Sequence, residues 1–485
     1  MNNKIISRIL IPITLISMVS CDSKKPQSEM PEVKVSDEFT NLENGKTSEG
    51  DIVINLAVSN YDTFFRGSDP VKEFNSMDNG YKISLIDYGE YYDAATAEEE
   101  SNTDSKYAEA YQNADNKICM DIIQGGKIDM TFKFFDDSRF LSLAEKSAFV
   151  DLNKFMQDDP DINHNTLNKH IIDLCENDSK LYYMPVSYTV KTLLGYEKYV
   201  GSDENWTIND MIDRWAKMPE GSRFTSSLSI NSADSIFYEL IGNSITSFID
   251  IDKRKCYFDS DDFIKMLEFV KDFGVSDDCD KSEIVPGDFF IDPVTLSGFK
   301  NFHNILWNAG NTQPISFVGY PASDGSNSFI ELGNTFAICS SADEEVQKGA
   351  WQFIKYLTSY DYQYSSMIAQ NDENAENDPS FDNSEELFFP INNNAFEKRA
   401  EEAYSKENEE NIVSVSGKEL NIGYFTREEF DRLKAIIEKT NQINLTDNKI
   451  YGIIVDGTAE MLSGEISPEE EAKRIQNSVT FAINE

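Results

Sequence analysis

Histidine is scarce in this chain: His164, His170 and His303 are the only three among 485 residues. That deprives metal sites and catalytic triads of their commonest ligand and base. Gly-x-Ser-x-Gly, His-Glu-x-x-His and P-loop patterns are absent too. A glycosidase would need paired carboxylates, but among 86 acidic residues closeness in sequence says little. Basic residues are outnumbered, 43 Lys and Arg against 86 Asp and Glu, for a formal charge of −43. Such a surface repels phosphate backbones, which argues against nucleic acid as a partner. After the N-terminus, no apolar run approaches the length that spans a bilayer. The six cysteines form no Cys-x-x-Cys pair and no zinc spacing. Cys119, Cys175, Cys256, Cys279 and Cys339 read as buried free thiols, with a Cys256–Cys279 bridge as the alternative. Residues 159–165 alternate oxygen ligands but lack the glycine and glutamate that a calcium loop requires. The chain is therefore read as a non-enzyme that needs no metal and no cofactor.

What is present starts at the first residue. Lys4 and Arg8 precede an apolar run over residues 9–19, too short to cross a membrane as a helix. Ser20 and Cys21 follow, then a polar stretch. The pattern resembles a lipobox, with residues 1–20 as signal peptide and Cys21 as the lipidated first residue of the mature chain. An ordinary secretory signal with an incidental cysteine is the alternative. Residues 21–50, rich in Ser, Lys, Glu, Asn and Pro, read as a flexible tether.

Order is expected from residue 51. The β-branched run at 52–58 predicts a buried strand. Asp69 and Pro70 predict a helix cap and first turn, with Val71 and Phe74 inward. A strand over 82–86, a helix over 106–123 and a strand over 128–132 complete a β-α-β-α-β opening. That opening implies a parallel sheet flanked by helices, with ligands at the carboxyl ends of its strands. Extended segments follow at 181–188 and 190–195. Helices are predicted at 207–215 with Thr207 as cap, at 259–273, around Val346 to Leu357, and from Ser467 onward, where Ser467 and Glu470 form a capping box. Strands are predicted at 315–318 and 335–338. Residues 371–386, acidic and rich in amides, read as a surface loop.

Several segments, taken in order, resemble one family. They are Gly126-Lys127-Ile128-Asp129, Asp178-Ser179-Lys180-Leu181-Tyr182-Tyr183-Met184-Pro185, Asn205-Trp206-Thr207-Ile208-Asn209-Asp210, Val318-Gly319-Tyr320-Pro321, Gly349-Ala350-Trp351-Gln352-Phe353-Ile354 and Phe389-Pro390-Ile391-Asn392. Together they are similar to the maltose-binding-like (family 1) extracellular solute-binding proteins of ABC importers. Two departures stand out. Ile128 replaces a common proline, and Val455-Asp456-Gly457-Thr458 stands where paired glutamates are frequent.

The resemblance implies a two-lobed α/β fold of the type II periplasmic-binding-protein kind, with a hinge between the lobes. Residues 51–190 and 317–359 are assigned to lobe 1, and 191–316 and 360–485 to lobe 2. It also implies a solute, expected to be a mono- or oligosaccharide, trapped by hinge closure and delivered to ABC permease subunits. The place of action is the outer face of the cell membrane, held there by lipid. A glycan-binding lipoprotein without a transporter, or a receptor for peptide or polyamine, would share many of these features.

Sugar binding needs flat aromatic faces and planar hydrogen-bonding groups. Strand ends and crossovers supply the candidates. Tyr61 and Asp62 follow the first strand, and Asp136 follows the third, with Asp137 in reserve. Tyr188 lies on a crossover, while Trp307 and Tyr320 bracket the return strand. Tyr451 falls in the late helix, near where the family often presents an aromatic ring. Each of these aromatics has a bland alternative as a core residue. Trp206, Trp215 and Trp351 read as structural, since each belongs to a helix start or stripe.

Overall fold

Seven mostly β-branched or apolar residues, Ile52–Val58, build the central strand of the first sheet in this computed structural model. The structure describes residues 33–35, 45–58, 69–89, 91, 104–125, 127–132, 137–202, 206–226, 232–242, 244–251, 253–273, 289–310, 313–323, 325–366, 388–415, 418–444 and 447–484. The first sheet comprises β1 (Lys34–Val35), β2 (Ile52–Val58), β3 (Tyr81–Asp87), β4 (Met130–Phe132), β5 (Met184–Pro185) and β14 (Thr335–Ile338). Their spatial order is β1-β3-β2-β4-β14-β5. β2 runs parallel to β3 and β4, as the β-α-β-α-β reading requires, whereas β14 is antiparallel to β4. Part of the expected tether is not free: β1 pairs antiparallel with the edge of β3. A two-residue strand of this kind is stabilised by its neighbour, so its own composition gives no sign of it. The signal peptide, Cys21, Cys279 and the loop at 371–386 lie outside the described residues.

The helices begin where local chemistry directs. α1 (Pro70–Asn75) is capped by the Asp69 carboxylate, which accepts the Lys72 N–H at 2.9 Å. α2 (Asp104–Ile123) buries Ala114 and Ile118 against the sheet, and α3 (Asp137–Glu145) buries Phe140, Leu143 and Ala144. α4 (Ile208–Trp215) carries the Thr207–Asp210 capping box. α5 (Ala233–Gly242) and α6 (Asp261–Lys271) follow, the latter capped by Ser260. Next come α7 (Phe299–Gly310), α8 (Glu344–Leu357), α9 (Asn393–Tyr404), α10 (Arg427–Lys439), α11 (Asn448–Ser463) and α12 (Pro468–Ala482), the last with the Ser467–Glu470 box.

Two hydrophobic cores result. One gathers the first sheet with α1, α2, α3 and α8; the other gathers α4, α5, α6, α11 and α12. The segment 360–485 is divided between them. Phe396, Phe430 and Leu433 of α9 and α10 join the first core, whereas Ile450, Ile454 and Ile475 of α11 and α12 join the second. Chain position alone could not have shown this, because α7, α9 and α10 pack through Phe299, Phe396 and Phe430 only after the chain has returned.

A second sheet lies between the cores. Its spine is β6 (Ser187–Tyr196), paired antiparallel with β9 (Asp292–Leu296), β10 (Ile315–Phe317), β13 (Phe329–Leu332) and β15 (Phe389–Pro390). Side chains alternate across a strand. Tyr188, Val190 and Leu194 accordingly face the first core, and Leu193 the second. Three small hairpins complete the strands: β7 with β8 (Ile249–Asp250, Lys255–Cys256), β11 with β12 (Tyr320–Pro321, Ser326–Asn327), and β16 with β17 (Ile412–Val415, Lys418–Asn421).

Two of the departures and alternatives acquire a physical basis. Asp159 accepts hydrogen bonds from the Trp351 indole at 3.0 Å and from Lys355 at 3.0 Å, so it serves as a brace between its loop and α8. Gly457 leaves room for Glu471: a Cβ there would stand 2.1 Å from the Glu471 carboxylate. Burial pushes the Glu471 carboxyl up to about 7, and the Glu460 charge adds to this, while Arg474, 2.9 Å away, opposes it. A carboxyl whose folded value lies above its unfolded value keeps an extra proton in the folded state. Its contribution to stability therefore falls as pH rises between about 4.5 and about 7. Glu471→Gln should raise the melting temperature over wild type at pH 8 and leave it nearly unchanged at pH 4.5. Equal shifts at both pH values would disprove this account.

Candidate functional site

Parity along β6 builds the site. If Tyr188 and Val190 face the first core, Thr189 and Lys191 face the other way. There Lys191 Nζ lies 3.0 Å from Glu331 of β13, and the Thr189 hydroxyl donates to the same carboxylate at 3.5 Å. Beside this polar strip opens a cleft of about 410 Å³, walled by Lys191, Pro293 to Thr295 of β9, Tyr320, the α5 residues Tyr238, Glu239 and Gly242, and Tyr451 of α11.

Three tyrosines meet here. Tyr238 and Tyr451 stand edge to face, with centroids 5.2 Å apart and planes at 87°. Gly242 lets Tyr451 approach α5, since a Cβ there would sit 3.1 Å from the ring. Tyr320 is buried against Phe329, centroids 5.8 Å apart. Burial holds its hydroxyl protonated far above the usual range, and the carboxylates of Glu239 and Glu331 push the same way. At the start of β9, Asp292 accepts the Ser226 N–H at 2.6 Å; burial raises its carboxyl and the bonds from Ser226 oppose the rise. The cleft thus offers ring faces, carboxylate acceptors, an ammonium donor and a protonated phenol, a set suited to hydroxyl groups.

Of the candidate residues, the structure brings Tyr320 and Tyr451 together in this cleft. Tyr188 is not in it. It is fully buried in the first core against Phe389, centroids 5.6 Å apart, and accepts the Asn168 amide at 3.2 Å. Trp307 is half-buried on α7 and does not reach the cleft wall. Asp137 is buried at the start of α3. Tyr61, Asp62 and Asp136 lie outside the described residues. Tyr238, Glu239, Lys191 and Glu331 were missed. Tyr238-Glu239 interrupts the apolar run of α5 with a polar pair, the one hint in the sequence that this helix lines a cleft. The expected structural tryptophans pack as such: Trp206 is fully buried, Trp351 nearly so, and Trp215 sits among Phe224, Phe273 and Phe290.

A larger hollow, about 640 Å³, lies between α7, β10 and α10, where Arg432 donates to the Ile315 carbonyl at 2.8 Å. None of the described candidate residues lines it.

The family model described as bacterial extracellular solute-binding protein matches residues 106–372, more than half of the chain. The chain belongs to that family. This solute-binding protein also has solved structural neighbours. One is an ABC transporter solute-binding protein from Thermotoga lettingae bound with α-D-tagatose, 14% identical, TM-score 0.47, covering 89% of this chain and 99% of the other. Another is the cyclic α-maltosyl-1,6-maltose binding protein of Arthrobacter globiformis, at 10% identity, TM-score 0.48, and 90% and 99% coverage. A third is maltose-bound MalE3 of T. maritima, at 11% identity, TM-score 0.48, and 89% and 99% coverage. No curated protein sequence matches this solute-binding protein. Among the described residues, no helix is long and apolar enough to cross a membrane.

Proposed function

We propose that this solute-binding protein captures a carbohydrate in the cleft of Tyr238, Tyr320 and Tyr451 and hands it, unaltered, to an ABC importer. The observation that carries the reading is the meeting of three tyrosines with Glu239 and Lys191 in one cleft, Lys191 being paired in turn with Glu331. Tyrosine rings cover the apolar face of a pyranose, and the polar strip of β6 and β13 exchanges hydrogen bonds with its hydroxyls. Sheet strands running between two separate cores support a hinge, and closure about it is the signal a permease reads. Lipidation at Cys21 would hold the protein at the outer face of the membrane.

Thermal-shift screening of the full mature chain tests the reading. A cognate mono- or oligosaccharide at about 100 times its dissociation constant should add roughly 2.7 kcal/mol of stability. Peptides and polyamines should add none. If they raise the melting temperature and no sugar does, the solute class is wrong. Small-angle scattering of the same sample should show compaction with sugar, as hinge closure demands.

A further inference from the structure

Away from the tyrosine cleft, His303 is buried on α7, and both of its ring nitrogens face oxygen. Nδ1 lies 3.1 Å from each oxygen of the Glu429 carboxylate, in the first turn of α10. Nε2 lies 3.0 Å from the Ile422 carbonyl, in the loop between β17 and α10. A neutral imidazole has one N–H. It would serve only one of these neighbours and turn a lone pair on the other. The imidazolium donates to both, and its bond to the carboxylate is charge-assisted.

The charge that acts on the ring is that of Glu429, and the loop adds the Gly423 carbonyl beside that of Ile422. α9 reaches α7 through Phe396 on Phe299, and β10 through Phe317 on Phe302, so both bring apolar rings. Arg432 of α10 lies over Phe317 and donates to the Ile315 carbonyl. Arg399 of α9 acts on the Tyr364 hydroxyl. Lys300 stands one turn before His303 on α7 itself. Burial pulls the imidazole down from its ordinary value of 6.5, but the bond and charge of Glu429, with the loop carbonyls, outweigh it and the net direction is up.

Glu429 is also the return arm of the capping box that starts α10, accepting the Thr426 N–H at 2.7 Å. One carboxylate therefore joins the cap of α10 to α7 through the proton on His303.

We propose that His303, Glu429 and the Ile422 carbonyl form a proton-operated clasp that holds the β17–α10 loop and the first turn of α10 against α7. When the proton leaves, the ring keeps at most one of its two bonds and Glu429 loses its cationic partner. A base whose folded value exceeds its unfolded value stabilises the fold fully below the unfolded value. Here the contribution is present below 6.5 and is lost as pH rises through the folded value. The clasp does not depend on the carbohydrate reading.

Imidazole NMR on the full mature chain reads the clasp directly, since the chain has only three histidines. At pH 6, His303 should show two N–H protons protected from exchange, and its midpoint should lie above 6.5. Glu429→Gln should move that midpoint to lower pH. His303→Gln should melt below wild type at pH 6, and the gap should shrink by about half or more at pH 9. Glu471 titrates in both proteins and cancels from this difference. Hydrogen exchange over residues 422–430, corrected for its intrinsic rise with pH, should quicken across the transition. The gain should be roughly tenfold for each pH unit by which the His303 midpoint exceeds its unfolded value. A melting gap equal at both pH values would show packing alone and overturn the clasp. So would a midpoint at or below 6.5, or one that Glu429→Gln leaves in place. Should either variant fold poorly, the wild-type titration and exchange decide.

Discussion

Trp206→Ala should cost about 3–5 kcal/mol of folding stability, among the largest effects of any single truncation in the second core. The indole is fully buried, packs on Phe290 with centroids 5.7 Å apart, and donates to the Gly319 carbonyl at 2.9 Å. Truncation leaves a cavity of ring size and strips that carbonyl of its partner. The urea midpoint should fall while the slope stays near that of wild type. Trp206→Phe retains most of the packing and should cost only about 1–3 kcal/mol, the charge for one unmade buried hydrogen bond. A loss below about 1 kcal/mol for the alanine variant would show that Trp206 does not hold this core. The effect also reaches the cleft, because Gly319 directly precedes Tyr320. Trp206→Ala should therefore weaken solute binding even at temperatures where the protein stays folded.

The second large effect concerns Tyr451. Once a cognate sugar is in hand, Tyr451→Ala should raise its dissociation constant roughly 30-fold, about 2 kcal/mol, the scale of a buried aromatic anchor. Tyr451 is half-buried on the cleft side of α11, and Gly242 leaves its ring space. Stability should change little beside the change in affinity. Trp307→Ala supplies the contrast, since its ring lies outside the cleft wall, and its affinity should match wild type within a factor of about two. If Tyr451→Ala loses less than about threefold while Trp307→Ala loses far more, the solute sits elsewhere.

Much of the fold was readable because its signals are local. The run at Ile52–Val58, the Asp69-Pro70 start, and the capping boxes at Thr207 and Ser467 each depend on residues within one turn or one strand. What escaped depends on pairing. Tyr188, a ligand candidate on an expected crossover, instead faces the first core, because alternation fixes which residues share a face and not which face meets solvent. The strand Lys34–Val35 exists through β3, and the meeting of Tyr238 with Tyr451 exists through the approach of α11. The split of 360–485 between two cores likewise depends on contacts made only after the chain has doubled back.

The shared strand β6 has a consequence for how the molecule could be divided. Its residues contribute alternately to each core, so no cut in the chain near residue 190 yields two pieces with complete interiors. Separate expression of either half should give aggregating fragments that recover only when mixed, as in enzyme-complementation reporters. An inserted sensor domain would be better tolerated between β16 and β17, which among the described residues pair with each other and with no other strand.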